Sequence, residues 1–113
     1  MSMKRKRKVN CTLICSECKS KDLQIVGETT QRDPSTMEFE FDVKGTRAVN
    51  KYVEDTNYQE MEIDDINVEC NKCHHVIWLD QFVEDMASAE LIDNRDVEWI
   101  IDHWMRQVEN QIN

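Results

Sequence analysis

Two short cysteine pairs stand 51 residues apart in this chain, Cys15-Ser-Glu-Cys18 and Cys70-Asn-Lys-Cys73. A Cys-x-x-Cys turn sets two sulfurs on one side of a metal ion, with backbone amides turned toward them. Two such turns supply the four corners of a tetrahedron with thiolate distances near ~2.3 Å, which is the shell Zn²⁺ prefers. The expectation is one structural zinc on Cys15, Cys18, Cys70 and Cys73. Four protein ligands leave no open position, so such an ion cannot activate water. Closing so long a loop also constrains the unfolded chain strongly.

The other cysteine readings fit less well. Cys70-x-x-Cys73-His74 matches a haem-attachment string, but that chemistry needs an exported chain and leaves the first pair idle. Iron on four thiolates calls for tighter spacing and an aromatic-rich shell. Redox pairs precede a helix in a strand–helix unit, a setting neither pair shows clearly. Cys11 reads as a buried strand thiol. His74 and His75 are spare ligands beside four thiolates, and His103 falls on the polar side of its helix, where solvation is expected.

With 113 residues, one domain is expected. At 40% apolar and 33% charged, the composition is that of a globular chain. The longest apolar run is Val76-Ile77-Trp78-Leu79, far short of a membrane span. No apolar leader follows the basic start, so a cytoplasmic protein with reduced thiols is expected, in the host cell cytoplasm if phage-encoded.

The pattern along the chain divides into a basic arm over 1–8, a sheet over 9–79 carrying the cysteine knuckles, and a helical hairpin over 80–113. Val9–Ile14 and Leu23–Val26 read as strands, and Asp33-Pro34-Ser35 as a turn. Met37–Lys44 alternates four apolar with four charged residues, the clearest half-buried strand. Gly45 ends it, and Thr46–Val53 reads as strand or short helix. Tyr58–Val68 alternates through Met61, Ile63 and Ile66, and Val76–Leu79 is a last short strand. The period then changes. Asp80 is placed to cap a helix running to about Leu91, and Asp93 or Asn94 to cap a second. Val97, Ile100, Ile101, Trp104, Met105, Val108 and Ile112 keep helical spacing. The fold class is α+β: an antiparallel sheet of about five strands followed by a two-helix hairpin. Trp78, Trp99 and Trp104 read as core or interface residues, with the core expected for residues on apolar stripes.

The four cysteines and their flanking strands resemble the zinc-ribbon class, in which two knuckles face each other across an antiparallel sheet. Two departures point to an elaborated ribbon. The spacing between the pairs is long, and the usual knuckle proline and glycine are replaced by Ser16, Asn71, Lys19 and His74.

No phosphate-binding glycine loop, metalloprotease helix or nucleophile elbow occurs, so no enzyme is expected. Charge is the remaining signal. Lys4–Lys8 carry +5, leaving 9 basic against 23 acidic residues in the body, a net −14. Four thiolates on one Zn²⁺ add about −2. Such a body repels phosphate backbones and attracts a basic surface. The candidate contacts are Glu54, Asp55, Glu60, Glu62, Asp64 and Asp65, with Asp80, Glu84 and Asp85 second. Size, acidity and the four cysteines resemble the zinc-binding type II-A anti-CRISPR proteins. That resemblance implies a stoichiometric inhibitor, phage- or mobile-element-encoded, that binds an RNA-guided nuclease and blocks its engagement with target DNA. The alternative is a zinc-ribbon accessory or regulator of transcription or translation that docks on polymerase or nucleic acid. Direct nucleic-acid binding is then expected only through the 4–8 arm.

Overall fold

The computed structural model describes residues 9–30, 36–53 and 62–112. The 1–8 arm, the Asp33-Pro34-Ser35 turn and residues 54–61 lie outside them. Five strands form one antiparallel sheet: β1 (Leu23–Thr30), β2 (Thr36–Lys44), β3 (Arg47–Val53), β4 (Glu62–Cys70) and β5 (Val76–Trp78). Their spatial order is β3-β2-β1-β4-β5. Two helices follow, α1 (Leu79–Ser88) and α2 (Val97–Ile112), joined through a short 3₁₀ turn, Asn94–Asp96. The expected α+β class and five-strand sheet are therefore observed.

Alternation along the strands decides which face is covered. Leu23 and Ile25 of β1, Phe39, Phe41 and Val43 of β2, and Val68 of β4 are buried on one side. Both helices lie over that face, contributing Phe82, Val83 and Met86 from α1, and Ile100, Trp104 and Val108 from α2. The other face carries Gln24, Val26 and Glu28, Glu38, Glu40 and Asp42, and Asp65, Asn67 and Glu69. No described element covers it.

The ambiguous Thr46–Val53 segment is strand. A two-residue loop, Gly45-Thr46, joins β2 to β3, with Gly45 at φ 63°, a conformation glycine adopts at no steric cost at the head of a tight hairpin turn. Helix α2 closes over the outer edge of β3. Gln107 Oε1 accepts the Ala48 N–H at 3.2 Å, and Gln111 Nε2 donates to the Ala48 carbonyl at 2.7 Å. Such cover occupies the edge main-chain groups of Ala48, which would otherwise be open to association.

Several local expectations are corrected. Val9–Ile14 is extended, with Cys11 and Leu13 buried, but it is not a strand. The Cys11 carbonyl is bound by the Trp104 indole N–H at 2.7 Å instead of by a neighbouring strand. Asp80 does not cap α1. The cap position is Trp78, without a side-chain bond, and Asp80 lies in the first turn, where its charge suits the helix dipole. Helix α1 stops at Ser88 rather than near Leu91, with Glu90 at φ 60°. Asp93 does cap the turn before α2, accepting the Arg95 N–H at 2.9 Å. Trp104 is in the core, but Trp78 is 64% and Trp99 55% exposed. Trp78 pairs with Asn67 and so shares the uncovered face. Trp99 lies one position off the buried stripe of α2. His103 is not merely solvated: its Nε2 donates to the Thr46 carbonyl at 2.8 Å, and its ring stacks on Trp99.

Candidate metal centre

Each cysteine pair sits in a knuckle, and the two knuckles are built alike. In the first, the Cys15 carbonyl accepts the Lys19 N–H at 2.9 Å, and the Cys15 N–H donates to the Ser20 carbonyl at 3.0 Å. In the second, the Cys70 carbonyl accepts the His74 N–H at 2.9 Å, and the Cys70 N–H donates to the His75 carbonyl at 2.9 Å. Lys19 and His74 occupy equivalent positions and share a left-handed backbone, φ 63° and φ 61°. These are the two positions where glycine was missed. A non-glycine residue there carries strain of about 1 kcal/mol. The two turns are held despite it.

Only the second knuckle directly follows a strand, since β4 ends at Cys70. The first hangs between the extended Val9–Ile14 segment and β1. The β1–β4 ladder pairs Leu23 with Cys70 and so brings the distant turns into register. Asn71 then ties them, its N–H donating to the Asp22 carbonyl at 2.9 Å and its Nδ2 to Asp22 Oδ1 at 3.0 Å.

The four sulfurs lie within 4.8 Å of one another. Cys15 Sγ is 3.6 Å from Cys73 Sγ, and Cys18 Sγ is 3.4 Å from Cys70 Sγ. A tetrahedron with ~2.3 Å metal–sulfur bonds has edges of about 3.8 Å. The spacing therefore fits one metal ion inside the cluster, and an all-thiolate set suits zinc. Cys15 and Cys70 are buried, while Cys18 and Cys73 are exposed. The centre thus lies at the protein surface, with one cysteine of each pair anchored in the core.

The cluster's own electrostatics favour a cation. Burial opposes ionisation of Cys70, but the Cys73 and Lys72 amides, with the Cys18 and Cys73 thiols, hold it down to about 7. The His75 amide favours the Cys73 thiolate, yet burial and the sulfurs of Cys15, Cys70 and Cys18 push that thiol up to about 12. One sulfur ionises readily and the next is resisted by its neighbours. A dication at the centre removes that resistance. Cys11 stands apart as a buried thiol raised by burial. Beside the cluster, His75 Nε2 is buried without a hydrogen-bond partner, a feature with no counterpart in the cysteine spacing.

The acidic candidates are only partly brought together. Glu54, Asp55 and Glu60 lie outside the described residues. Glu62 and Asp64 belong to β4, whose ladder with β1 is irregular at that point. Asp65 is exposed on the uncovered sheet face. Asp80 and Glu84 are exposed on α1, and Asp85 is half-buried there. The uncovered face holds acids that the sequence reading passed over. Glu28 of β1 stands directly between Glu38 of β2 and Asp65 of β4, and Gln24 stands between Asp42 and Glu69. The alternation of Met37–Lys44 contained this signal, but which charges meet depends on strand order. Among the described residues, no helix is long and apolar enough to cross a membrane. Comparison with protein families, with curated proteins and with solved structures finds no match for this chain.

Proposed function

We propose that this chain is a zinc-stapled binding protein whose uncovered, acidic sheet face docks on a basic, phosphate-recognising surface of a nucleic-acid-handling protein. The specific partner we propose is a type II CRISPR RNA-guided nuclease, inhibited by stoichiometric occupation of its DNA-binding surface. One observation carries the reading: the Glu38–Glu28–Asp65 row across three adjacent strands. Like charges directly opposite on a sheet are destabilising, each pair by roughly 0.2–1 kcal/mol. A basic partner surface relieves that repulsion, and carboxylates spaced at strand intervals match donors arranged for phosphates. Lys51 is 4.0 Å from Glu40, and both side chains are about half exposed.

Zinc supplies no chemistry in this reading. It holds the Cys15–Cys18 and Cys70–Cys73 turns together at one end of the sheet, and so keeps β1 and β4 in the register that builds the acidic row. The exposed Val76 and Trp78 on one flank, and Val49 and Tyr52 on the other, add apolar contact area beside the charge.

A target-cleavage assay with the nuclease decides the matter. Inhibition saturating near one protein per nuclease, and lost in Glu28→Lys, supports the proposal. Full cleavage at stoichiometric excess ends it. Tight, salt-sensitive capture of labelled DNA or RNA that disappears on removal of residues 1–8 replaces it with the accessory or regulatory role.

A further inference from the structure

Strand β5 covers β4 at Asn67, Val68 and Glu69 alone, whereas β4 begins at Glu62. After Trp78 the chain turns into α1, so no described strand runs beside the first residues of β4 on that side. The direction of the main-chain groups follows from the flanking bonds. The Cys70 N–H reaches the His75 carbonyl on the β5 side, and the Asn71 N–H reaches the Asp22 carbonyl on the β1 side. Main-chain groups alternate in direction along a strand. Val68 and Ile66 therefore aim theirs toward β5, and Ile66 stands where β5 gives way to α1; the extra residue at the bulge, Asp64, resets the alternation, so that beyond it Ile63 faces the same edge.

A cavity of about 330 Å³ opens at that point. Its apolar lining comes from Ile63, Ile66, Leu79, Ile101 and Met105, with Trp78 beside them. Asp65 and Asp80 also line it, and among the described residues no basic side chain does. The opposite edge of the sheet is treated differently, since Gln107 and Gln111 close it at Ala48.

We infer that this groove receives an extended segment of a partner protein, which adds to β4 as a strand beside residues 62–66. Strand addition uses main-chain hydrogen bonds for affinity and alternate side chains for selection. Inward side chains of the segment are apolar and sit among Ile63, Ile66 and Met105. Outward ones are Lys or Arg and face Asp65 and Asp80. The inference goes beyond the acidic-face reading and rests on it only for the sign of the partner's charge.

The probe is a short synthetic peptide alternating lysine with valine, titrated into the full chain. Its control is the same peptide N-methylated on the backbone at alternate residues, which keeps charge and side chains but removes strand donors. Saturable binding, with amide resonance shifts at Ile63 and Ile66, a change in Trp78 fluorescence, and about tenfold weaker binding of the methylated peptide, is expected. Met105→Lys, with its fold checked by circular dichroism, should weaken the peptide by a similar factor. Equal binding of both peptides, or shifts confined to Gln24–Glu28 and Glu38–Asp42, overturns the inference. So does protection of the Ile63 and Ile66 amides in the free protein, whether by this chain or by a second copy at high concentration. Failed peptide binding with nuclease inhibition intact removes the groove alone. Intact peptide binding without inhibition removes the acidic-face reading alone.

Discussion

At the scale of single residues, Gly27 has no room for a side chain. A Cβ there would run into the main-chain oxygen of Asp65 on β4 and come within 2.6 Å of the Phe39 ring tip. The Asp65 contact is backbone and cannot swing aside, and the ladder bulges next to it, between Glu28 and Thr29. Gly27→Ala should therefore cost about 2 kcal/mol or more, read as a lower midpoint in urea unfolding. An unchanged midpoint would mean that the two strands part easily. The cysteines carry a different kind of prediction. Cys→Ser at position 15, 18, 70 or 73 should lower metal content from about one zinc per chain and destabilise the fold by several kcal/mol, about 3 or more. Cys11→Ser should leave metal content unchanged, because Cys11 is not part of the cluster. Metal analysis together with thermal melts distinguishes the two classes.

At the scale of elements, the sheet's two edges show how helices finish what strands leave open. Helix α2 reaches Ala48 with two glutamines spaced one turn apart, and both main-chain groups of that residue are bonded. Removing both, as Gln107→Ala with Gln111→Ala, should cost about 1–3 kcal/mol, since two part-buried bonds are lost at once. The double variant should also self-associate more as concentration rises, because the β3 edge is uncovered. Sedimentation at several concentrations checks this, and a monomer throughout would show that the edge is blunted by other means. Much of this scale was legible early. Helical spacing from Val97 to Ile112 matches α2 as observed, and alternation in Met37–Lys44 matches β2. The Val9–Ile14 segment misled because its alternation is real: Cys11 and Leu13 are buried. Alternating burial identifies an extended chain on a core, and only a neighbouring ladder makes it a strand.

At the scale of the whole molecule, metal uptake and surface charge set two opposed expectations. Zinc binding must displace protons, because Cys73 is pushed up to about 12 and keeps its proton at neutral pH until a cation arrives. Cys70 is held down to about 7, so acidification through that range protonates a ligand that is otherwise ready. Zinc affinity should rise with pH and fall steeply below about 7, with proton release on binding. Calorimetry in buffers of different ionisation enthalpy reads that release directly, and a pH-independent affinity would contradict it. Surface charge works the other way between stability and binding. Glu28→Lys breaks the three-strand acidic row, so it should stabilise the isolated protein by a few tenths of a kcal/mol, about 0.2–1. The same change should weaken docking on a basic partner, with the smaller difference at high salt. Thermal melts paired with partner binding test both signs in one variant.

The chain by itself determined the four-cysteine cluster that could hold a metal ion. Four cysteines in two tight turns have few ways to satisfy a metal, and the spacing within each pair is a local property of the chain. It also determined the order of elements, because hydrophobic period is a local property of neighbouring residues. The left-handed Lys19 and His74 show the limit of that legibility: the missing glycines were visible, but the turns keep the same geometry without them. Only the tertiary structure decided which charges meet. Strand order β3-β2-β1-β4-β5 sets Glu28 between Glu38 and Asp65, residues from three segments of the chain. It also decided that Trp78 faces outward and that β4 outruns β5. These features depend on pairing register and on where a helix begins, and a one-residue slip would have turned every side chain of a strand to the opposite face.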